Sequence, residues 1–436
     1  MIPIVRLQGM NAPERQRILG RAHSQFDAIR PQVQAIIDDV RQRGDEALVD
    51  YTRRWDDPEF SRDKLRITEA DIEEAYRLTA PETLERIRDQ ISLSRRFHQQ
   101  QRAAIRDWEM EIDPGILAGE RWLPMEQVGL YVPGGKNPFP TVQQILAVAA
   151  KEAGCPRIVA CVSPRGRIAE VLVAAHETGI SELYRVSGPH AVAAMAYGTE
   201  TIAPVDLVAG PGNTYVATAK LLCQERIAID MLAGPSEAIV LADASCIEGM
   251  SLDDKARYCA ADLLARAEHG PDSAAVMVTD SSELAEKTAQ ELQKQVQRLD
   301  RLDYIRDALA AYSAIVVTDD MEEALDFTNE YAPEHLEVLT EDPRATLEQI
   351  RHAGSVFLGW FNPVALGDYA SGVNHILPTG RWARQSSAVG VWTFMKRVQF
   401  SEVSRQGIAR LQPIVDTLAD VEGLSAHRRS VDLRLE

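Results

Sequence analysis

Residues 128–162 read VGLYVPGGKNPFPTVQQILAVAAKEAGCPRIVACV, two short apolar segments separated by a longer alanine-rich one. The short segments, 128–132 and 157–162, are rich in β-branched residues and are typical of buried strands. Between them, residues 142–153 have the composition of a helix. A strand, a helix and a strand in this order predict parallel strands covered by a helix.

The same alternation continues to residue 358. It predicts further strands at 183–186, 206–208, 239–241, 274–279, 314–318, 335–339 and 355–358. It also predicts helices at 168–178, 190–197 and 256–268. We therefore predict an α/β fold with two Rossmann-like modules whose sheets are largely parallel.

The regions that flank this alternation are different. Residues 24–112 are predicted to be helical, because Val33, Ile36, Ile37 and Val40 recur at helical spacing, and a long charged helix begins at Pro81. After Pro378 the chain is rich in arginine, with a helix predicted at 408–420. Residues 424–431 have no core of their own, so this C-terminal tail must pack on another part of the protein or on another subunit.

We predict four parts in the chain: an N-terminal arm (1–23), a first domain (24–127 with 237–380), a second domain (128–236) and a C-terminal tail (381–436). A length of 436 residues favours two or more domains. The five cysteines form no CxxC pair, and we interpret them as buried reduced thiols.

The net charge of −18 argues against nucleic acid or an anionic membrane as a general partner. Any anion site must then be built locally from particular arginine or lysine residues. The start, MIPIVR, lacks the basic and apolar regions of a signal peptide, and no segment resembles a membrane span. The sequence therefore predicts a cytoplasmic protein.

Residues 264–273, LARAEHGPDS, form the end of a predicted helix, and Arg266 and His269 lie three residues apart on one face. His269, His335 and His427 each lie in a short segment with a carboxylate nearby. These segments are far apart in sequence, which suggests a hydrolytic or redox site assembled from distant parts of the chain.

Three turns could contact a ligand. VPGG at 132–135 and AGPGN at 209–213 each follow a predicted strand and precede a helix, an arrangement that lets backbone N–H groups approach a phosphate. Neither is GxGxxG, so an ordinary tight turn is the alternative. In AGPSE at 233–237, Ser236 could bind a ligand or cap the turn.

Glu334 and His335 are adjacent and provide two proton-transfer groups of different pKa. The alternative is a surface pair without a catalytic role. Asp368 lies among small residues, which would let a metal or ligand come close, although it could also be an ordinary turn residue.

Taken together, these segments resemble the histidinol dehydrogenase family over most of the chain. The resemblance rests on motifs in the family's order and spacing: 128–135 (VGLYVPGG), 196–202 (AYGTETI), 210–216 (GPGNTYV), 229–237 (IDMLAGPSE), 267–273, 329–337, 366–375 and 422–431. It implies oxidation of a primary alcohol to a carboxylate through an aldehyde, with two NAD per turnover and one zinc per subunit of a homodimer.

The resemblance also implies residue roles. NAD would contact Tyr131, His190 and Asn213. Zinc would lie on His269 and Asp368 of one subunit and on His427 of its partner, which would explain the coreless tail. Glu334 would help activate water, His335 would take the alcohol proton, and the residues that contact substrate would be Ser236, Arg266, His269, His335, Asp368, His375, Glu422 and His427.

Arg266 departs from the family, which carries a zinc-ligating glutamine at this position. Arginine has no lone pair to offer a metal, so the first shell would be His269, Asp368 and His427. Its fixed charge would oppose the cation L-histidinol by about 1–4 kcal/mol, and it could grip a carboxylate or sulfonate. His190 also replaces a family glutamine.

Our leading hypothesis is therefore an anionic diol as substrate. The chain resembles the sulfopropanediol 3-dehydrogenase branch of the family, which converts 2,3-dihydroxypropane-1-sulfonate to sulfolactate. The alternatives are L-histidinol, which Glu422 suits better as a carboxylate, and a metal-free binding homologue without catalysis. Arg381, Arg384 and Lys396 are further anion-binding candidates, with solvated or interface charge as the alternative.

Overall fold

The computed structural model describes residues 2–21, 26–134, 137–232 and 234–436. Gly135 and Ala233, which belong to two of the predicted turns, lie outside the described residues, as do residues 22–25. The described helices are α1 (Ala12–Gly20), α2 (Phe26–Arg43), α3 (Asp45–Trp55), α4 (Glu69–Leu78), α5 (Pro81–Ala104), α6 (Pro140–Ala153), α7 (Ala169–Glu177), α8 (Gly188–Tyr197), α9 (Thr214–Leu222), α10 (Leu252–Ala267), α11 (Ser282–Gln295), α12 (Leu302–Ala311), α13 (Met321–Tyr331), α14 (Pro343–Gln349), α15 (Val364–Tyr369), α16 (Arg405–Val421) and α17 (Ser425–Asp432).

The described strands are β1 (Ile4–Arg6), β2 (Trp108–Asp113), β3 (Ile116–Pro124), β4 (Gln127–Val132), β5 (Arg157–Val162), β6 (Glu182–Arg185), β7 (Leu207–Ala209), β8 (Ala228–Ile229), β9 (Glu237–Ala242), β10 (Ala274–Thr279), β11 (Ala314–Val317), β12 (His335–Leu339), β13 (Ser355–Leu358) and β14 (Met395–Val403). They form three sheets, in the orders β1-β11-β10-β9-β12-β13, β6-β5-β4-β7-β8 and β14-β3-β2.

The two larger sheets are entirely parallel, which confirms the predicted α/β fold with two parallel modules. Their central strands are buried on both faces, and this is why they read in the sequence as continuous apolar segments. Helix α6 ends at Gly154, which has the left-handed conformation (φ +89°) that glycine adopts readily.

The third sheet is antiparallel and was not predicted. Residues 108–112 were expected to continue a helical region, and this was wrong, because they belong to β2. The apolar residues Trp108, Met110 and Ile112 alternate with acidic ones, a period of two that is typical of a strand. The long helix predicted from Pro81 is confirmed as α5.

The N-terminal helices cover the five-stranded sheet. Apolar residues of α2 and α3, Val33, Ile37 and Leu48 among them, share a core with Tyr131 and Val159 of that sheet, and Ile87 and Ile91 of α5 share another core with β4 and α6. The six-stranded sheet has its own two cores. The division of the chain into four parts stays a prediction.

The C-terminal region carries α16, which confirms the helix predicted at 408–420, and α17, which has no buried residue. Among the described residues, every helix is too short or too polar to span a bilayer.

Candidate active site

The carboxyl edge of the five-stranded sheet opens into a cavity of about 700 Å³. Its walls include all three residues predicted to contact NAD, Tyr131, His190 and Asn213, together with Trp55 and Arg165. Ligands of open parallel sheets bind at this edge, outside the ends of the strands. The structure therefore brings the three predicted residues into one cavity of sufficient size for a dinucleotide.

Two helices begin at this cavity. Pro189 occupies the first turn of α8, and the Tyr131 hydroxyl accepts a hydrogen bond from the Gly188 N–H at 3.1 Å. Asn213 caps α9, its side-chain oxygen accepting from the N–H groups of Tyr215 (3.0 Å) and Val216 (3.2 Å). Helix N-termini attract anions, which suits the pyrophosphate of a dinucleotide.

His190 is buried beneath two aromatic rings, with its ring centroid 5.5 Å from that of Tyr51 and 5.6 Å from that of Trp55. Burial lowers its pKa to about 3, so the imidazole is neutral near pH 7. Within the described part of the chain, neither ring nitrogen has a hydrogen-bond partner. Both nitrogens are therefore buried without a partner at the wall of the cavity.

A second group of polar residues lies at the amino edge of the six-stranded sheet. Glu237 and His335 are the first residues of the neighbouring strands β9 and β12. The turn into β12 is short, because Ala332 ends α13 in the left-handed conformation (φ +52°). Gly354 allows the next segment to approach, since a Cβ there would lie 2.5 Å from the Glu334 carbonyl oxygen.

Glu334 and His335 form a buried pair, with 3.3 Å between Glu334 Oε2 and His335 Nδ1. Burial opposes charge on both groups, yet each stabilises the charged form of the other. Burial raises the pKa of Glu334, but the neighbouring imidazole outweighs this effect and keeps the pKa below its usual range. Although burial and Arg266 lower the pKa of His335, Glu334 and Asp368 outweigh them and raise it.

Arg266 and Asp368 lie on the other side of the His335 ring. His335 Nε2 is 3.7 Å from Asp368 Oδ1, and Arg266 Nη2 is 3.9 Å from Asp368 Oδ2. Arg266 lies in the last turn of α10, where the helix dipole favours a cation, and its side chain is buried. Partial burial raises the pKa of Asp368, but the nearby His335 ring and the charge of Arg266 outweigh it and hold the pKa at about 2.

The remaining predicted residues divide into two groups. His269 follows the end of α10, Ser236 precedes β9 and His375 follows α15, and His335 and Asp368 both influence the pKa of His375. Glu422 and His427, by contrast, are exposed near the junction of α16 and α17. His269, although it lies just beyond the end of the same helix as Arg266, is also exposed within a single chain.

Sequence reasoning missed several charged residues next to this group: the buried Arg21, Glu237 and Glu337 and the partly buried Asp262. Glu337 is fully buried, and burial followed by the nearby Asp262 raises its pKa well above its usual range. A carboxylate inside an apolar strand, as in EAIVLA or HLEVL, is the signal that could have identified Glu237 and Glu337.

Comparisons with known proteins agree with this arrangement. The histidinol dehydrogenase family model matches residues 19–435. Histidinol dehydrogenase of Methanothermobacter thermautotrophicus is 42% identical over 421 residues, covering 96% of this chain and 96% of the relative. That of Synechococcus sp. is 42% identical, covering 97% of this chain and 96% of the relative. The crystal structure of histidinol dehydrogenase from Elizabethkingia anophelis superposes with a TM-score of 0.92 at 33% identity, covering 100% of this chain and 98% of that one.

The chain belongs to the histidinol dehydrogenase family, which confirms the resemblance. It is accordingly an NAD-dependent oxidoreductase that acts on an alcohol. The family generally uses NAD and zinc and oxidises its alcohol to an acid in two steps.

Proposed function

We propose that this protein oxidises L-histidinol to L-histidine through the aldehyde, using two NAD. The relatives quoted above are histidinol dehydrogenases that match almost the whole chain, and they favour this substrate over the anionic diol. The observation that carries the proposal is the buried Glu334–His335 pair, with His335 Nε2 directed toward Asp368.

In the first step the alcohol carbon loses a hydride to NAD while its hydroxyl loses a proton. His335 accepts that proton at Nε2, which has no hydrogen-bond partner among the described residues, and Glu334 stabilises the imidazolium. In the second step Glu334 helps remove a proton from water as it adds to the aldehyde, and the hydrate gives its hydride to a second NAD. The first step releases one NADH and one proton. The second releases one NADH and two protons, because the acid product ionises to a carboxylate at neutral pH.

The donor set suits a zinc ion in part. Asp368 is ionised at neutral pH and His269 offers an imidazole, whereas Arg266 supplies no lone pair. Among the described residues, a single chain holds no cluster of three His, Cys, Asp or Glu ligands. We propose that the partner's His427 completes the set, and that zinc bound there would act as a Lewis acid on the alcohol oxygen.

A homodimer would bring this third ligand. Ile414, Leu418 and Val421 lie on one side of α16 and are all exposed. Tyr369, which directly follows Asp368, and Phe361, which precedes α15, are exposed as well. Apolar surface of this kind commonly marks a protein interface. We further propose that Glu422 reaches the substrate from the partner, and that the protein works in the cytoplasm, where its five unpaired cysteines stay reduced.

The second candidate substrate is a small anionic diol such as 2,3-dihydroxypropane-1-sulfonate. Arg266 favours it, because a buried guanidinium beside Asp368 could bind a sulfonate with two parallel hydrogen bonds. The same ion pair weakens the argument, since Asp368 already neutralises part of the charge that would repel L-histidinol.

The test is NADH formation by the zinc-loaded protein with each alcohol at equal concentration. We expect L-histidinol to yield two NADH per molecule. Turnover of the diol alone would instead identify Arg266 as a sulfonate-binding residue. Turnover of neither, with no zinc retained after dialysis, would support the non-catalytic binding homologue.

A further inference from the structure

Glu237 holds the Glu334–His335 pair through three backbone contacts. The Glu237 N–H donates to Glu334 Oε2 at 2.8 Å, and the Glu334 N–H donates to Glu237 Oε1 at 3.1 Å. The Glu237 carbonyl oxygen lies 3.2 Å from His335 Nδ1. A proton on Nδ1 satisfies that carbonyl, so Nε2 is left to accept a proton on the side of Asp368.

The Glu237 carboxylate is in turn held by Arg21. Arg21 Nη1 is 3.0 Å from Glu237 Oε2, and the two side chains are only 4% and 2% exposed. The guanidinium also lies over the Tyr331 ring at 3.6 Å and donates to the Tyr331 carbonyl oxygen. Arg21 therefore connects the N-terminal segment to the strand that holds the proton-transfer pair.

Stability alone is a weak reason to bury such an ion pair. Removing two charges from water costs about as much as their attraction returns, and an apolar pair of the same volume is often as stable. Here the Glu237 carboxylate also accepts from the Glu334 N–H, and the Glu237 backbone contacts both proton-transfer groups. Its place in the fold therefore favours a positioning role.

We propose that Arg21 and Glu237 are positioning residues, which fix the orientation of Glu334 and the tautomer of His335. This inference rests on the proposed function, since it assigns a purpose to the same proton-transfer pair. Without Arg21 the Glu237 carboxylate would be buried beside Glu334 with no countercharge. Even with Arg21 present, burial raises the pKa of Glu237 to about 7, so loss of the guanidinium would leave this carboxyl protonated.

The test compares Arg21→Gln with Arg21→Lys, and with Arg15→Gln as the matched control. Arg15 also joins α1 to α13, through an ion pair with Glu330, but that pair is half-exposed and remote from Glu237. For Arg21→Gln we expect kcat to fall by about tenfold to a hundredfold, with the KM values for alcohol and NAD within about twofold of wild type. Arg21→Lys keeps the charge and should retain kcat within about threefold, and Arg15→Gln should match wild type.

A lower thermal midpoint for Arg21→Gln with kcat per folded site unchanged would overturn the proposal. So would an increase in KM alone, which would mean that Arg21 binds substrate. A crystal structure of Arg21→Gln tests the positioning role independently of the proposed function, because it needs no turnover. Even if wild type oxidises neither alcohol, His335 Nδ1 should move beyond hydrogen-bond distance of the Glu237 carbonyl oxygen. Retention of the 3.2 Å contact in this variant would contradict the positioning role of Arg21 and Glu237.

Discussion

The guanidinium of Arg266 lies beside Asp368, at the position where the family resemblance implies a glutamine. We expect Arg266→Gln to bind zinc at least about tenfold more tightly, because it removes a like charge from the metal site and adds a ligand. It should also raise kcat/KM for L-histidinol relative to the diol by about tenfold or more. Zinc affinity is measured by competition with a chelator, independently of turnover.

The control for this variant is Arg257→Gln on the same helix, whose exposed side chain pairs with Asp254. It should leave zinc affinity and substrate preference at the wild-type values. An Arg266→Gln protein with unchanged zinc affinity would mean that the guanidinium lies outside the metal's reach.

Glu334→Gln tests the division of labour within the proton-transfer pair. The first oxidation should proceed, because His335 remains, but water addition should slow by about a hundredfold or more. The yield should therefore fall from two NADH per alcohol toward one, with the aldehyde trapped by a carbonyl reagent. Glu330→Gln, a surface carboxylate on α13, should still give two NADH. Two NADH from Glu334→Gln would assign water activation to another group.

At the scale of single elements, Asn213 both caps α9 and lines the cofactor cavity. Asn213→Ala should lose about 1 kcal/mol of unfolding free energy, as cap removal generally does, and should also raise the KM for NAD. Asn11→Ala is the matched control, because Asn11 caps α1 in the same way and lies outside the cavity. It should lose similar stability with an unchanged KM. Equal KM values for NAD in the two variants would mean that Asn213 caps α9 but does not contribute to NAD binding.

The elements themselves could be predicted from local pattern. Buried parallel strands carry continuous apolar residues, so 157–162, 274–279 and 335–339 were located to the residue. Strand β2 was missed, because its apolar residues are exposed and its neighbours are acidic. The contact between Arg21 and Glu237 joins residues 216 positions apart (237 minus 21), and no local pattern records such a pairing.

At the scale of the whole molecule, burial of neutral histidine should make stability depend on pH. The pKa of His190 is about 3 in the folded protein and near 6.5 when unfolded, so acid protonates the unfolded chain first. The contribution of His190 to the free energy of unfolding is fully present above about pH 6.5. It falls by about 1.4 kcal/mol per pH unit as the pH decreases toward 4. His190→Gln should remove this part of the slope, measured by denaturant unfolding at several pH values. An unchanged slope would mean that His190 is solvated.

The proposed dimer places each metal site across two chains, and mixed dimers test this. His269→Ala and His427→Ala should each be inactive as homodimers. When coexpressed they form a mixed dimer in which one site carries both substitutions and the other carries neither. Since about half of random dimers are mixed and one of their two sites is intact, activity should return to about a quarter of wild type.

The control mixture is His269→Ala with Asp368→Ala, two residues contributed to a site by the same chain. Every site in that mixed dimer carries one substitution, so activity should stay at the level of the separate variants. Differently tagged chains allow the mixed dimer to be purified and its zinc content counted, with one ion expected for the first mixture. Equal recovery in both mixtures would mean that His269 and Asp368 are contributed to each site by different chains. No recovery in either mixture, although mixed dimers form, would show that each site is built from a single chain, with the exposed tail helix serving another purpose.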